Sequence, residues 1–427
     1  MEKILTKNCR GDGPTRIDAY EAGGGYRALR KALTSMSPDE VTAVVKASGL
    51  RGRGGAGFPC GVKWTFMPKQ KTKPHYLCMN GDESEPGTFK DRLLMEKDPH
   101  FVVEGGLCSG YAIRADVVWI YIRGEFVHGA EVMQRAIDEA YANGYAGKNI
   151  MGSGWDCEVV LHRGAGAYIC GEETALMTSL EGDRGYPRVK PPFPAQMGVW
   201  GQPTTINNVE TLACVPLIIE HGADWFKSFG PDERNTGPKL YCLSGHVKRP
   251  GVYEAPMGLP LLELIHGDEY GRGMLHDDRP LKACIPGGSS VPVLTAAQCD
   301  VNLDFDSLAK AGTGLGSAGI MVMDSSTCMV QALHRISYFY AHESCGQCTP
   351  CRQGCGWLEK MLRRIEAGQG RPADVDLLKN VADNIEGNTI CALGDAAAWP
   401  VQSFVTKFRD EFMDHVQAGR CTIRQPA

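Results

Sequence analysis

The sequence predicts an α/β protein followed by a small α+β module and a C-terminal helical bundle, and three observations predict it. Apolar strands and amphipathic helices alternate from His75 to about Gly222, as in a parallel sheet covered by helices. A strand, the turn Lys248-Arg249-Pro250-Gly251, a second strand and a short helix come next. From Cys328 onward apolar residues recur at helical spacing. At 427 residues the chain exceeds one hydrophobic core. We therefore divide it into an N-terminal segment with a glycine-rich loop (1–72), the α/β region (73–235), the α+β module (236–326) and the bundle (327–427).

Each element has its local reason. Ser37-Pro38-Asp39-Glu40 opens a helix through Val41, Val44 and Val45, with an N-cap and an acidic first turn. The glycine-rich run from Gly49 to Gly61 follows it. Strands are expected over 76–79, 117–122 and 159–161, with a helix over 127–142. The module begins with a strand over 239–247 and includes a short helix over 261–265. Four bundle helices would carry Leu333, Ile336 and Tyr340; Leu358, Met361 and Ile365; Leu378, Val381 and Ile385; and Val401, Phe404, Val405, Phe408 and Phe412.

Composition narrows the function. The hydrophobic fraction of 43% and charged fraction of 22% are those of a packed globular chain. No apolar run reaches the roughly 18 residues a membrane span needs, so membrane association is expected only through partners. Residues 1–7 resemble neither a signal peptide nor a transit peptide, which places the expectation in the cytoplasm. A net charge of -5 with interspersed signs argues against nucleic acid, and Lys69, Lys71 and Lys73 read as a solvated loop. Seventeen cysteines, an odd number scattered along the chain, argue for a reducing compartment rather than a disulfide framework.

One group of cysteines is spaced like ligands. Cys345-Gly346-Gln347-Cys348-Thr349-Pro350-Cys351 is a C-x-x-C-x-x-C run able to wrap three corners of an iron-sulfur cluster. Zinc and free buried thiols are the competing readings, and zinc sites favour paired knuckles or Cys/His mixtures. The fourth ligand is either Cys355 or Cys391. In the ferredoxin run the fourth cysteine serves a second cluster, whose own triplet is absent here. Cys355 falls at the start of the helix through Leu358, whereas Cys391 lies in the non-helical break 387–394, so we place Cys391 on the cluster.

Two glycine loops and two polar segments complete the pattern. Gly52-Arg53-Gly54-Gly55-Ala56-Gly57 matches G-x-G-x-x-G, but a helix precedes it and 58–61 cannot open one, so the dinucleotide-fold context fails. It still offers backbone N–H groups beside Arg51, Arg53 and Lys63 as a cradle for phosphate. The second loop, Gly164 to Tyr168, follows a strand and leads through Gly171-Glu172-Glu173-Thr174 into a helix, an arrangement suited to flavin or nucleotide. Two adjacent acids at that helix start either favour its dipole or face a ribose or ring. Asn80 through Gly87 follows the first strand, where α/β sheets hold ligands, with a solvated acidic turn as the alternative. The run 204–211 is either a capped helix start or a rim of amide groups on a ligand.

Taken together, the runs 49–59, 82–92, 164–174, 190–195, 205–211, 343–352 and 391–395 closely resemble the NADH-binding, flavin-carrying subunit of bacterial respiratory complex I, the 51 kDa family. The resemblance covers essentially the whole chain. It implies a Rossmann-like flavin and nucleotide domain, a β-grasp-like module and a helical bundle holding a 4Fe-4S cluster. Around FMN it implies Gly52, Gly54, Gly55, Gly57, Lys63, Asn80, Asp82, Glu83, Tyr168, Gly171, Glu172, Ile206, Asn207, Asn208 and Thr211. For NADH it implies Phe58, Phe66 and Phe193 stacking on adenine, with Lys190 and the catalytic carboxylates Glu85 and Glu173 near ribose or nicotinamide. The cluster ligands are Cys345, Cys348, Cys351 and Cys391. Cys60 stands where relatives usually carry Thr, and Cys355 is an additional thiol.

The implied activity is NADH oxidation in a proton-pumping NADH:quinone oxidoreductase, a respiratory-chain translocase. NADH yields two electrons as a hydride and a cluster accepts one, so a flavin must stand between them. The implied partners are a 2Fe-2S thioredoxin-like subunit and iron-sulfur subunits of a peripheral arm on the cytoplasmic side of the inner membrane. The rival readings are the diaphorase subunit of a soluble NAD-linked hydrogenase or formate dehydrogenase, and a non-catalytic iron-sulfur scaffold. Relatives of the first kind often carry extra N-terminal segments; intact glycine loops and carboxylates speak against the second.

Overall fold

Strands buried on both faces pair in parallel, and the first sheet of the protein is built this way. In the computed structural model, which describes residues 2–9, 11 and 13–423, β1 (Tyr76–Gly81), β2 (Val117–Ile122), β3 (Glu158–Arg163) and β4 (Thr204–Asn208) form an all-parallel sheet in the order β3-β2-β1-β4. Met1, at the head of the N-terminal segment, and 424–427, at the end of the bundle segment, lie outside the described residues. Helices Lys90–Lys97 and Pro99–Ala112 cross from β1 to β2, Val127–Ala142 follows β2, Glu173–Leu180 follows β3 and Val209–His221 follows β4. This is the expected Rossmann-like layer. The strand order reverses between β1 and β4, and a crevice opens outside the carboxyl ends of strands at such a point.

The segment 204–211 serves as both strand and cap: β4 runs directly into helix Val209–His221, whose Asn208 side chain accepts the Thr211 N–H at 3.4 Å. At the N-terminal side, Ser37 and Glu40 close a reciprocal capping box on helix Pro38–Ala47. One expectation fails next to it. Residues after the first glycine loop do open a helix, Cys60–Trp64, because Pro59 occupies the N-cap at φ -60°, where its missing N–H costs nothing. Gly61 then lies against the preceding helix so closely that a Cβ would sit 2.4 Å from Lys46 Cα. Only glycine permits that packing.

The second sheet is mixed, in the order β6-β5-β9-β7-β8, with β5 (Pro238–Gly245), β6 (Gly251–Pro256), β7 (Leu281–Ile285), β8 (Leu294–Thr295) and β9 (Gly319–Asp324). Helices Leu261–His266 and Phe305–Lys310 supply its apolar cover through Leu261, Leu264, Ile265, Phe305 and Leu308. The bundle holds five helices among the described residues rather than four: Met329–Glu343, Thr349–Glu366, Pro372–Ile385, Leu393–Lys407 and Arg409–Ala418. The chain breaks at Phe408 (φ -121°), yet Phe404, Phe408 and Phe412 keep the i, i+4 spacing of one helix, so periodicity alone cannot see the break. No described helix is long and apolar enough to cross a membrane.

Candidate functional site

The crevice between β1 and β4 is floored by amides. Asn80 leaves β1 with its Nδ2 donating to Gly171 O at 2.9 Å, which ties the strand end to the second glycine loop. Asn207 is buried between Trp64, whose indole N–H donates to its Oδ1 at 3.0 Å, and the thiol of Cys60 at 3.7 Å. The first glycine loop lies over Asn208: Thr211 Oγ1 accepts the Arg53 N–H at 2.8 Å, and a Cβ on Gly54 would sit 2.9 Å from Asn208 Cβ. Gly55, at φ +145°, meets nothing within 4 Å where a side chain would be. The loop therefore presents bare backbone, as a cradle for a phosphate-bearing ligand must.

Arg53, offered by the sequence as a phosphate contact, points into the protein instead. It is fully buried and donates to Thr236 O and Pro238 O. Beneath Asn208 lies a group of buried charges that the sequence did not reveal. Glu210 meets Lys90 at 2.9 Å and Lys239 at 2.7 Å, Asp91 meets Lys90 at 2.9 Å, and all four side chains are almost wholly hidden. Burial opposes ionisation of Glu210, but Lys239 and Lys90 outweigh it and hold the carboxyl down at about 2.

The acids divide into two kinds. Glu83 sits just past β1 at φ +36° and turns its carboxylate onto the next helix, accepting the N–H groups of Asp91 (2.6 Å) and Arg92 (2.8 Å). Glu172 is likewise the N-cap of helix Glu173–Leu180, accepting from Thr174 and Ala175. Both side chains satisfy helix donors. Glu173 and Glu85 are instead held by side chains and backbone of other segments. Glu173 is clamped by Lys63 (2.8 Å) and Lys190 (2.5 Å); burial would raise its pKa, but the two ammonium groups hold it at about 2. Burial pushes Asp82 up to about 7 despite the Ser84 hydroxyl at 2.6 Å.

Glu85 is where all three layers meet. Its Oε2 accepts the Tyr168 hydroxyl at 2.6 Å from the β3 loop, and its Oε1 accepts the Ser290 N–H at 2.8 Å from the second sheet. Tyr340 of the first bundle helix joins through Ser289 at 2.9 Å. Burial raises the Glu85 carboxyl above its usual range, and these donors only partly restore it. Ser289, Ser290 and Tyr340 were missed in the sequence. The run Gly287-Gly288-Ser289-Ser290 was the available signal, since a Cβ on Gly288 would lie 2.7 Å from Glu85 Cγ. Three phenylalanines are half exposed, Phe58 (47%), Phe66 (57%) and Phe193 (54%), with the Phe58 and Phe66 rings 6.2 Å apart. Exposed rings beside a polar crevice suit a stacked base.

The cysteine run lies at the far end of the helix Met329–Glu343. Glu343 accepts the Tyr168 N–H at 2.9 Å, which joins the β3 loop to the chain leading into Cys345. Cys351 and Cys355 belong to one packed core with Ile169, Cys170 and Leu393, and Cys345, Cys348 and Cys391 pack against it. Cys391 is pushed up to about 12 by burial, with Glu172, Cys345 and Cys351 adding to it, so its thiol lies within electrostatic reach of the run. Cys355 does not start its helix. That helix begins at Thr349 with Pro350 in its first turn, and Cys355 is a buried residue one turn after Cys351, 3.9 Å from it.

Known proteins carry the same organisation. Residues 45–217 match the Nuo51 FMN-binding domain, 240–267 an SLBB domain, and 331–415 the NADH-ubiquinone oxidoreductase-F iron-sulfur binding region. The chain is 56% identical over 421 residues to an NADH-quinone oxidoreductase F subunit of Rhizobium meliloti (strain 1021), covering 99% of each chain. It is 55% identical over 422 residues to the corresponding F subunit of Rickettsia felis, again over 99% of each. Among solved structures, a chain of an air-oxidized NAD+-reducing [NiFe]-hydrogenase aligns with a TM-score of 0.82 at 33% identity, covering all of this chain and 68% of that one.

Proposed function

The chain belongs to the family of NADH-quinone oxidoreductase F subunits, and on that premise we propose that it oxidises NADH at the β1/β4 crevice and passes electrons to a cluster held by Cys345, Cys348, Cys351 and Cys391. It is the electron-input flavoprotein subunit, with FMN and a 4Fe-4S cluster as cofactors and other complex I subunits as partners. The crevice suits FMN: the bare backbone at Gly54 and Gly55 leaves room for a phosphate, Asn80 and Asn207 bring amides, and Lys63 brings a positive charge. When bound, FMN supplies the conversion between a two-electron hydride donor and a one-electron acceptor.

The protein's own residues bind and orient. Phe58, Phe66 and Phe193 offer their faces to adenine. Lys63 and Lys190 hold Glu173 as an anion, which favours a free ribose hydroxyl over a 2'-phosphate. Tyr168 and Ser290 fix Glu85. The observation that carries the reading is the Tyr168–Glu343 bond, which couples the flavin-side loop to the cluster-side chain. The finer partner assignment is a 2Fe-2S thioredoxin-like subunit and other iron-sulfur subunits of a peripheral arm on the cytoplasmic side of the membrane. Exposed Tyr338, Trp357, Ile390 and Trp399 on the bundle support a docking face there. The hydrogenase likeness supports a diaphorase as the second reading, with lower identity. The test is reconstitution of the chain with FMN and iron-sulfide. NADH:ferricyanide activity and a bound-flavin spectrum are expected; a cluster without flavin binding would leave only a scaffold.

A further inference from the structure

We propose that Cys328, His415 and Cys421 form a second metal site, for a zinc-class divalent ion, at the end of the bundle opposite the cluster cysteines. Two thiols and one imidazole offer ligand atoms that all lie within 4.8 Å of one another, with Cys328 Sγ 4.0 Å from His415 Nδ1. Zinc bonds of about 2.3 Å to sulfur and about 2.0 Å to nitrogen put tetrahedral ligand atoms roughly 3.5–3.8 Å apart. The group therefore needs only a small contraction to close on an ion. Sulfur with imidazole selects zinc over the hard cations magnesium and calcium.

Each ligand is delivered by a separate piece of backbone. Cys328 is the N-cap of helix Met329–Glu343, and its Sγ accepts the Gln331 N–H at 3.4 Å, which fixes the sulfur at that end of the helix. His415 is fully buried in the last turn of helix Arg409–Ala418. Its Nε2 lies 3.5 Å from Glu366 Oε2, so a carboxylate stands behind the ring and leaves Nδ1 turned toward the sulfurs. Metal-binding histidines are oriented in this way. Cys421 is brought back by Gly419, which ends the last helix at φ +61°. Gly368 packs so closely on that turn that a Cβ would lie 2.0 Å from Gly419 O.

Glu411 fixes the frame, accepting the Met329 N–H at 2.7 Å and pairing with Lys282 at 2.6 Å. The site is separate from the cluster cysteines: helix Met329–Glu343 has 15 residues, so its two ends lie about 20 Å apart. Three protein ligands leave one tetrahedral position for water. Zinc has no redox chemistry, so its role is to staple the first and last bundle helices together. A Cys328–Cys421 disulfide is the rival occupant, and it would leave the oriented His415 without a purpose.

The test uses the full chain carrying its flavin and cluster. Metal analysis should find one zinc per chain in addition to iron, and Cys421→Ala should lose that zinc while keeping iron and flavin. Cobalt(II) loaded in place of zinc should give thiolate-to-cobalt charge-transfer and tetrahedral d–d bands that vanish in Cys421→Ala and Cys328→Ala. Absence of zinc from the cluster-loaded wild type, cobalt bands that persist in both variants, or a non-reduced Cys328–Cys421 peptide would each overturn the assignment.

Discussion

Glu173→Gln should shift the coenzyme preference toward NADPH by about tenfold. In the wild type the Glu173 carboxylate is paired with Lys63 at 2.8 Å and Lys190 at 2.5 Å, and Glu172 lies 3.6 Å from Lys190, so two carboxylates offset two ammonium groups and little net attraction is left for an anion. Glutamine removes one of the two negative charges and leaves a net positive charge for a 2'-phosphate. One unit-charge pair about 6 Å apart at an effective dielectric of about 20 is worth roughly 3 kcal/mol. The rim is open to water and salt, so less than half survives, about 1.4 kcal/mol or one factor of ten. The assay is kcat/KM for NADH and NADPH with ferricyanide as acceptor, at low and high salt, on protein with matched flavin content. An unchanged NADPH/NADH ratio would refute the placement of Glu173 at the nucleotide ribose. The same variant has a stability signature. Glu173 is depressed from 4.5 to about 2, so its contribution, at most roughly 3 kcal/mol, is present above pH 4.5 and is lost as pH falls from 4.5 toward 2. The variant should melt earlier at neutral pH and lose less further stability on acidification.

Phe193→Ala and Phe58→Ala should raise KM for NADH about tenfold with kcat nearly kept, since stacking worth about 1–3 kcal/mol per base is lost in ground and transition states alike. A large fall in kcat at normal KM counts against the adenine assignment. Glu210→Gln should cost about 3–5 kcal/mol in chemical denaturation, because it leaves Lys90 and Lys239 buried with one carboxylate fewer. A loss below about 1 kcal/mol would mean that the buried charges rearrange freely. Cys391→Ala should abolish the reduced-cluster EPR signal and lower bound iron, while Cys355→Ala, at a position buried within a helix, should change neither. The opposite pattern would reverse the ligand choice.

Local signals carried the elements well and the site unevenly. The capping box at Ser37, the strand 117–122 and the helix 127–142 are all present, because caps and hydrophobic period are written in adjacent residues. The helix after Pro59 runs against the reading that 58–61 cannot open one: Pro59 serves as its N-cap, and Gly61 packs on Lys46 of the preceding helix, a contact that adjacent residues do not spell out. The site behaves the same way. Residues within single short segments, such as Asn80 at the end of β1 and the two glycine runs, could be named. Ser289, Ser290 and Tyr340 were not, since Ser289 and Ser290 reach Glu85 across separations of 204 and 205 residues and Tyr340 joins through Ser289. Arg53 shows the converse error: a basic residue inside a glycine loop looks like an anion ligand until the fold buries it against Thr236 and Pro238.

Contacts of this long-range kind are also what an electron-input protein needs. Single-electron transfer depends on a fixed separation between donor and acceptor, and loops are usually the mobile parts of a fold. Here the loop after β3 is tied at both ends of one short stretch: Tyr168 donates its N–H to Glu343, two residues before Cys345, and its hydroxyl to Glu85 at the crevice. Ile169 and Cys170 then enter the same packed core as Cys351 and Leu393. A displacement of the cysteine run would thus have to break a buried polar chain and open a close-packed core together. Neither glycine run needs to be rigid by itself, because the bundle and the second sheet hold it. Three folded layers are therefore of use around chemistry that touches only a few side chains.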